Sequence, residues 1–231
     1  MGPLALLMLK MWADSSMYLV RNHSGTAFTR LELLCRVAAI IVLAATLIGG
    51  LGRVRERGRR IQCTDNLKQL GIASTSWALE NEGSFLSQPN DRLKLLAADG
   101  LVFNYFLGFS NRLSTPKILF CPAESNPARS PAGDFTSLTN DNQVSYFVGL
   151  GGNESAPQMF PYGDHYLSIN GVAATQGIHV LRTNDVVAWT RDGHHGQGNV
   201  LLWDGSAQQY SSSSLNRGLT AGWATNSLAF P

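Results

Sequence analysis

The longest predominantly apolar segment of the chain covers residues 31–52. Its two charged residues, Glu32 and Arg36, are four positions apart, in the order that favours an ion pair within one helix. As a helix the segment would be about 33 Å long, and the hydrocarbon core of a bilayer is about 30 Å thick. The pattern therefore predicts a membrane-spanning helix in which Arg36 extends its charged end toward the near interface.

A second helical pattern follows this segment. Residues at intervals of mostly three and four share one face: Ile61, Cys63, Leu67, Leu70, Ser74 and Trp77. Gly83, which follows Asn81 and Glu82, favours a left-handed cap at the end of the helix. The two patterns together predict one helix over residues 31–81, and glycines mark the places where it can bend. These glycines are Gly49, Gly50, Gly52 and Gly58.

Beyond Gly83 the chain consists of short apolar runs separated by Gly, Pro, Asn and Ser, a pattern typical of a β-rich domain. Residues 93–107 lack the alternation of a strand and predict a helical turn or two. Residues 125–142 contain prolines and small polar residues and predict a long surface loop. The predicted strands are 117–121, 144–150, 166–170, 178–181 and 186–190.

The clearest hairpin signal lies near the end of the chain. The predicted strands 199–203 and 206–210 flank Asp204-Gly205, a dipeptide favoured in two-residue type I′ turns. A glycine-rich loop precedes these strands, with His194 at its centre. We expect His194 to anchor the loop to the hairpin by a hydrogen bond to Asp204 or to a carbonyl of the turn.

Composition and charge limit the possible classes of protein. A chain of 231 residues with 44% hydrophobic content fits one domain of ordinary size plus an anchor. The formal net charge of +2 is unevenly distributed, because five arginines fall within eight residues. These are Arg53, Arg55, Arg57, Arg59 and Arg60. Such a run can contact nucleic acid or lipid headgroups. We favour an arginine-rich helix turn beside the membrane and expect no nucleic-acid partner.

The three cysteines leave two possibilities open. Cys35 lies in the apolar segment, so Cys63 and Cys121 form the candidate pair. In an oxidising compartment they could form a disulfide between the helix and the first predicted strand, which is worth a nominal ~4 kcal/mol for a loop of this size. The alternative is two free thiols in the core. Neither residue has a second metal ligand at a suitable spacing.

The segment Phe28-Thr29-x-x-Glu32-Leu33, followed by an apolar helix and an arginine-rich run, resembles the N-terminus of type IV prepilins and type II secretion pseudopilins. The resemblance implies that a prepilin peptidase cleaves after Ala27 and that the new amine of Phe28 is methylated. It also implies that Glu32 meets this amine on a neighbouring subunit during assembly. Opposite charges about 4 Å apart attract by about 4 kcal/mol at an effective dielectric constant of 20.

The C-terminal part carries a second resemblance. Nine residues separate His194 from Asp204-Gly205, and this H-x9-D-G spacing resembles the signature of a bacterial prepilin-like family named for that motif. Similar phrases occur elsewhere in the chain: Cys63-x-x-Asn66-Leu67-Lys68-Gln69-Leu70-Gly71, Val144-Ser145-Tyr146-Phe147-Val148-Gly149-Leu150, and Gly163-Asp164 followed by Asn170-Gly171. The two resemblances cover most of residues 28–210.

Together these resemblances imply an α+β, pilin-like fold. In this fold a long N-terminal helix, with a membrane half and an amphipathic half, packs on a small antiparallel β-sheet domain. The expected organisation is a leader over 1–27, a transmembrane and assembly helix over 28–52, its amphipathic continuation over 53–82 and a globular β-rich domain over 83–231. The expected location is the bacterial inner membrane, crossed once, with the C-terminal domain in the periplasm or outside the cell.

The expected function is that of a non-enzymatic, pilin-like or pseudopilin-like structural subunit without a cofactor. Its expected partners are a prepilin peptidase and methylase, other pilin-like subunits and membrane lipid. The chain has no H-E-x-x-H motif, no phosphate-binding loop and no serine elbow. A metal site at His194, His195, Asp192 and Asp204 stays open as an alternative role for the glycine-rich loop.

A second function also stays open. The chain could be a membrane-anchored periplasmic domain that binds carbohydrate or peptide and never polymerises. In that case aromatic residues could line a groove, although at this spacing they are more often part of a core. These residues are Trp189, Trp203, Tyr210 and Trp223.

Overall fold

The computed structural model describes residues 29–80, 101–150, 159–182, 184–220 and 225–231. The chain divides into two compact units, Met1–Gly52 and Arg53–Pro231. Helix α1 (Arg30–Glu80) contributes to both units, and α2 (Val102–Leu107) and α3 (Ser212–Thr220) belong to the second. The second unit also contains 3₁₀ turns at Ser110–Arg112, Pro116–Leu119 and Asp141–Gln143.

The described strands of the second unit form two antiparallel sheets. The strands are β1 (Tyr146–Gly149), β2 (Tyr162–Asp164), β3 (Leu167–Ile169), β4 (Val172–Ala173), β5 (Gly177–Arg182), β6 (Val187–Trp189), β7 (Gln197–Leu201), β8 (Ala207–Ser211) and β9 (Thr225–Phe230). One sheet has six strands in the order β5-β9-β1-β2-β7-β8, and the other has three in the order β4-β3-β6. The fold is therefore α+β.

Both faces of the six-stranded sheet are covered. On β1, Tyr146 and Val148 belong to one buried cluster and Phe147 belongs to the other. The same alternation occurs on β7, where Val200 and Leu201 lie in different clusters. Successive strand residues point to opposite faces, so all of β1 and all of β7 after Gln197 are buried instead of alternating between buried and exposed.

Helix α1 contributes its amphipathic face to the first buried cluster. Cys63, Leu67 and Leu70 are completely buried, at the three- and four-residue intervals that place side chains on one helix face. The aromatic residues of α2 complete the cluster, and Tyr105 donates or accepts a 3.0 Å hydrogen bond with Tyr162 of β2. This packing fixes the residues of α1 that border the site described below.

The predicted pilin-like fold and inner-membrane location are wrong. Across the described ranges, no helix is both long enough and apolar enough to cross a bilayer. The strands also form two sheets instead of one small sheet.

Four predicted strands are confirmed in part or in full, because β1, β3, β5 and β6 lie in or around the predicted ranges. The predicted strand over 117–121 is wrong. Pro116 begins a 3₁₀ turn there, and the Thr115 hydroxyl accepts a hydrogen bond from the Lys117 N–H, which caps the turn. The predicted helical turns over 93–107 correspond to α2, and residues 93–100 lie outside the described ranges.

The predicted two-residue type I′ turn at Asp204-Gly205 is also wrong. A type I′ turn needs positive φ at both residues, and Gly205 has φ +82° while Asp204 does not have a positive φ. The N–H of Gly205 donates to the carbonyl of Leu202 over 3.0 Å, and the N–H of Leu202 donates to Ser206 O over 2.8 Å. The hairpin therefore has a three-residue loop that ends in a left-handed glycine.

Candidate functional site

The loop between β6 and β7 directs His194 into the protein. His194 is 2% exposed, whereas the adjacent His195 is exposed. Three residues of this loop have positive φ: Gly193 at 71°, His195 at 56° and Gly196 at 80°. Gly193 also leaves no space for a side chain, because a Cβ would lie 2.7 Å from the ring of Tyr166. The glycines that made this loop conspicuous in the sequence thus allow its tight path.

Three groups surround the Nε2 atom of His194. It lies 3.2 Å from Asn199 Nδ2, 3.3 Å from Cys121 Sγ and 3.4 Å from Asp164 Oδ2. These neighbours come from β7, from the segment after the Pro116–Leu119 turn and from β2. His194 therefore joins parts of the chain that are far apart in sequence.

Asp164 is the buried carboxyl of this cluster. The N–H of Asn199 donates to Asp164 Oδ2 over 2.7 Å, and Asn199 Nδ2 donates to the same oxygen over 2.9 Å. Despite these bonds, burial raises the pKa of Asp164 from 3.8 to about 7. The buried Tyr146 hydroxyl has its pKa raised by burial and by the neighbouring Asp164 charge.

Between about pH 4 and pH 7 the contact between His194 and Asp164 joins two neutral groups rather than an ion pair, because burial raises the pKa of Asp164 to about 7 and lowers that of His194 to about 4. Burial, and then the charge of Arg60, lower the pKa of His194 from 6.5 to about 4. Since Asn199 Nδ2 can only donate, its contact requires Nε2 as the acceptor, and the ring proton then lies on Nδ1, which is buried without a hydrogen-bond partner. Asp164 Oδ2 lies 3.4 Å from the same nitrogen, and its raised pKa removes the negative charge from this contact below about pH 7.

Helix α1 forms the opposite side of the cluster. Arg60 donates from Nη2 to the carbonyl of His194 over 3.0 Å, and from Nη1 to Gln197 Oε1 over 2.9 Å. The Thr64 hydroxyl lies 3.1 Å from Asn199 Oδ1. Residues 60, 63 and 64 lie on one helix face, so a single stretch of α1 holds the histidine loop and β7 together.

Cys63 of α1 and Cys121 form a disulfide, with an S–S distance of 2.06 Å. It connects residues 58 positions apart. Of the two states left open by the sequence, the structure contains the disulfide. It lies next to His194, and it ties α1 to the segment that precedes the long loop.

The disulfide limits the metal ligands that this cluster can supply. The two sulfurs and a ring nitrogen of His194 lie within 4.8 Å of one another, the one such group found in the described ranges. The sulfurs are bonded to each other, so neither is a thiolate ligand in this state. The alternative ligand set is not brought together, because His194 is buried and His195, Asp192 and Asp204 are exposed.

Asp204 and Gly205 shape their own turn and do not contact the histidine. Asp204 Oδ1 accepts a hydrogen bond from the Ser206 N–H over 2.8 Å. Hydrogen bonding to the side chain and the backbone of Ser206 lowers the pKa of the Asp204 carboxyl. His194 is anchored instead through Asn199, which lies on the strand leading into the hairpin. The expected link between loop and hairpin exists, but its partner is a different residue.

The N-terminal site residues can be followed only in part. Ala27 and Phe28, at the predicted cleavage position, lie outside the described residues. Glu32 pairs with Arg36 of its own helix, with 2.5 Å between Oε1 and Nη2. Both side chains stay about half exposed, at 44% for Glu32 and 49% for Arg36.

Sequence reasoning missed a second polar cluster, around Glu124. Its carboxylate accepts hydrogen bonds from the hydroxyls of Tyr166 and Ser145 and lies 3.4 Å from Arg129 Nε. Burial raises the pKa of Glu124 and lowers the pKa of Arg129. Glu124 and Arg129 fall in or beside the predicted surface loop, where nothing in the local pattern signals burial.

Comparisons with protein-family models, curated proteins and solved structures found no match to this chain. The resemblance to prepilin-like proteins therefore stays a prediction that rests on the sequence motifs. The geometry itself describes a bracing cluster: a disulfide, a neutral histidine and a buried carboxyl that connect α1, β2 and β7. The reactive groups in this cluster are buried or bonded to each other.

Proposed function

We propose that this chain is a non-enzymatic structural subunit that is processed as a prepilin is and associates with other copies of itself through the first part of α1. The observation that carries the proposal is the exposed apolar surface of this helix. Eight large aliphatic residues between positions 31 and 43 are 44–72% exposed. They are Leu31, Leu33, Leu34, Val37, Ile40, Ile41, Val42 and Leu43. A helix with apolar residues all around it is normally buried.

The distribution of these residues favours several neighbours over one. Residues 40–43 are consecutive and point about 100° apart, so together they cover the whole circumference of the helix. A single partner helix would cover only one stripe. The pattern therefore supports a bundle in which the helices of several copies surround one another.

Small residues between the aliphatic ones support close helix packing. Ala38, Ala39, Ala44 and Ala45 are exposed on the same segment. Alternating large and small side chains allow facing helices to interdigitate. Helices of identical sequence would present both kinds of residue to each other.

The Glu32–Arg36 pair is compatible with this association. Its charges cancel within one helix, so the pair adds no net charge to the contact. Because both side chains are half exposed, Glu32 remains accessible to an amine on another copy, as the resemblance to pilins implies. Exposed ion pairs of this kind contribute only about 0.3–0.5 kcal/mol, so exchanging the partner costs little.

The proposal of a non-enzymatic role is supported by the state of the second unit's reactive groups. His194 and Asp164 are buried and bound to neighbouring residues, and Cys63 and Cys121 are consumed in a disulfide. A catalytic group must reach a substrate atom at hydrogen-bonding distance. The buried cluster instead connects α1, β2 and β7 within the second unit.

Oxidative cross-linking through Cys35 tests the association. Cys35 is exposed, and it is the only one of the three cysteines outside the disulfide. We expect copper-phenanthroline to convert the full-length protein into covalent dimers, seen on a non-reducing gel, because neighbouring α1 helices bring two Cys35 thiols together. The Cys35→Ser variant should give none.

A matched pair of variants distinguishes specific association through α1 from nonspecific aggregation. Ile41→Asp should abolish the cross-link and reduce the sedimentation coefficient to that of a monomer. Ile72→Asp, which changes an aliphatic residue of the same helix that is 71% exposed in the second unit, should leave both unchanged. A wild-type protein that is monomeric and does not cross-link would support the non-polymerising alternative and contradict the proposal.

The processing part of the proposal predicts the mature N-terminus. Cells that contain a prepilin peptidase should yield a chain that begins at Phe28, with one methyl group on its amine. Intact-mass and N-terminal peptide mass spectrometry measure this directly. The same mass measurements on the Phe28→Ala and Glu32→Ala variants examine cleavage and methylation of the new N-terminus separately. An unprocessed or differently cleaved wild-type chain would argue against the pilin-like pathway.

A further inference from the structure

A polar cavity of about 580 Å³ opens on the second unit, and His194 is not among its lining residues. This volume lies in the usual range for small-molecule sites, about 300–1,000 Å³. The cavity is lined from three directions: by the loop around Arg129, by the Asp141–Gln143 turn and by β3 with the segment after β4. Neither resemblance assigns it a role.

The side chains on its walls are fixed in advance. Asp141 Oδ1 accepts from the Phe103 N–H over 2.7 Å, and Asp141 Oδ2 accepts from Gln176 Nε2 over 2.8 Å. A capping box between Asn140 and Gln143 holds the turn that carries Asp141. A site whose polar groups are already oriented loses little entropy when it binds a ligand.

The cavity does not select for an anion. Arg129 is the only lysine or arginine among its lining residues, and it is already committed. Its guanidinium lies 3.4 Å from Glu124 and donates to the carbonyls of Asp141 and Val144. His165 adds no positive charge near neutral pH, because burial and the neighbouring Arg129 lower its pKa from 6.5 to about 3.

The remaining polar lining consists mainly of amides and carboxyls. Asn126, Asn142 and Gln176 offer both donors and acceptors, and Asp192 at the rim offers acceptors. Planar groups of this kind can each bind two adjacent hydroxyls. Apolar anchors that would hold a peptide side chain are few, since the aliphatic lining is limited to Leu101, Leu167, Pro231 and two alanines.

One wall carries an aromatic surface. The rings of His165 and Tyr166 are stacked, with centroids 4.1 Å apart and an angle of 34° between their planes. The Tyr166 hydroxyl is held by Glu124, which fixes the orientation of the ring. Such a surface can pack against the C–H face of a saturated ring.

From this combination we infer that the cavity binds a neutral carbohydrate of one or two sugar rings. The amides and carboxyls recognise its hydroxyls, and the aromatic pair packs against its ring. This binding is independent of the association through α1, because all of the lining residues belong to the second unit. The subunit would thus carry a sugar-binding site on its globular part.

Isothermal titration calorimetry of the full-length protein tests the inference. The probes are glucose, galactose, N-acetylglucosamine and their β-1,4-linked dimers, with galacturonic acid as the charged comparison. We expect at least one neutral sugar to bind with a dissociation constant of about 1 mM or lower and galacturonic acid to bind at least tenfold more weakly. Absence of binding by every neutral sugar, or preference for the acid, overturns the inference.

Two neighbouring residues of β4 provide a matched pair that locates the site. Ala173 lines the cavity, whereas Val172 does not, and both are exposed. Ala173→Trp should abolish binding by filling the cavity, and Val172→Trp should leave it unchanged. Asp192→Ala, at the exposed rim, should weaken binding about tenfold without affecting folding. Unchanged sugar binding in Ala173→Trp would show that the sugar binds elsewhere and would overturn the inference.

Discussion

Replacing Cys63 and Cys121 together by alanine should lower the free energy of unfolding by about 4 kcal/mol. The disulfide closes a loop of 58 residues, and a cross-link over a loop of this size removes conformational entropy from the unfolded chain worth about 4 kcal/mol at 25 °C. Both sulfurs lie in the core, so the double variant also loses packing contacts there. Urea unfolding followed by circular dichroism and tryptophan fluorescence measures the change.

The third cysteine supplies the control for this experiment. Cys35 is exposed and lies in the first unit, so Cys35→Ala should change the stability by less than about 0.5 kcal/mol. A double variant that loses less than about 1 kcal/mol would mean that hydrogen bonds from Arg60 and Thr64 already hold α1 in place. In that case the disulfide would be a minor part of the bracing cluster.

Asp164→Asn should change the way in which stability depends on pH. The pKa of Asp164 is raised from 3.8 in the unfolded chain to about 7 in the folded protein, because the carboxyl is buried. The folded protein therefore holds a proton between these pH values that the unfolded chain has released. By linkage, the stability due to this proton is fully present below about pH 4 and is lost as the pH rises through about 7.

The magnitude of this loss is large enough to measure. The difference between pKa values of 3.8 and about 7 corresponds to about 4 kcal/mol. Asparagine cannot ionise, so the wild-type protein should lose up to that amount relative to Asp164→Asn between pH 4 and pH 8. Urea unfolding of both proteins at intervals of one pH unit measures the difference.

Two features make the comparison with Asp164→Asn specific. His194 and His165 have lowered pKa values, so the stability that they contribute is lost as the pH falls below about 6.5. Both histidines are present in both proteins, so this effect largely cancels from the comparison. Asp65→Asn, at a carboxylate of α1 that is 56% exposed, serves as the control and should follow the wild-type profile. A difference between wild type and Asp164→Asn that is constant with pH, or grows in favour of wild type, would show that Asp164 is ionised in the folded protein.

The two predictions address different supports of the same cluster. The disulfide acts through the unfolded chain, whereas Asp164 acts through the folded state, where burial favours its neutral form. If both hold, the residues around His194 serve to fix α1 on the sheet.

The wrong strand prediction has an identifiable physical cause. The run 117–121 looked like a strand because it is apolar, and Pro116 with its Thr115 cap turned it into a 3₁₀ turn. A residue at the edge of the apolar run decided the local structure. The predicted span over 31–52 rested on length and apolar character, and no helix in the described ranges meets both criteria.

The histidine site shows a similar limit. The spacing of His194 and Asp204 in the sequence suggested that they meet, but the register of β7 and β8 places Asp204 in an exposed turn. His194 instead contacts Asn199, five residues away, and Asp164 and Cys121, which are 30 and 73 residues away. Sequence spacing indicated the right loop and the wrong partner.

The sequence by itself determined the features that depend on neighbouring residues. These are the amphipathic face of α1 through Cys63, Leu67 and Leu70, most of the strand positions and the location of the hairpin. Periodicity and turn residues act over a few positions, so they can be recognised without knowing the fold. Only the tertiary structure decided that the pKa of Asp164 is raised and that of His194 lowered, that Glu124 and Arg129 are buried together and that a polar cavity exists. Each of these depends on burial by segments far away in the chain, and burial controls pKa and binding through long-range packing that no local pattern encodes.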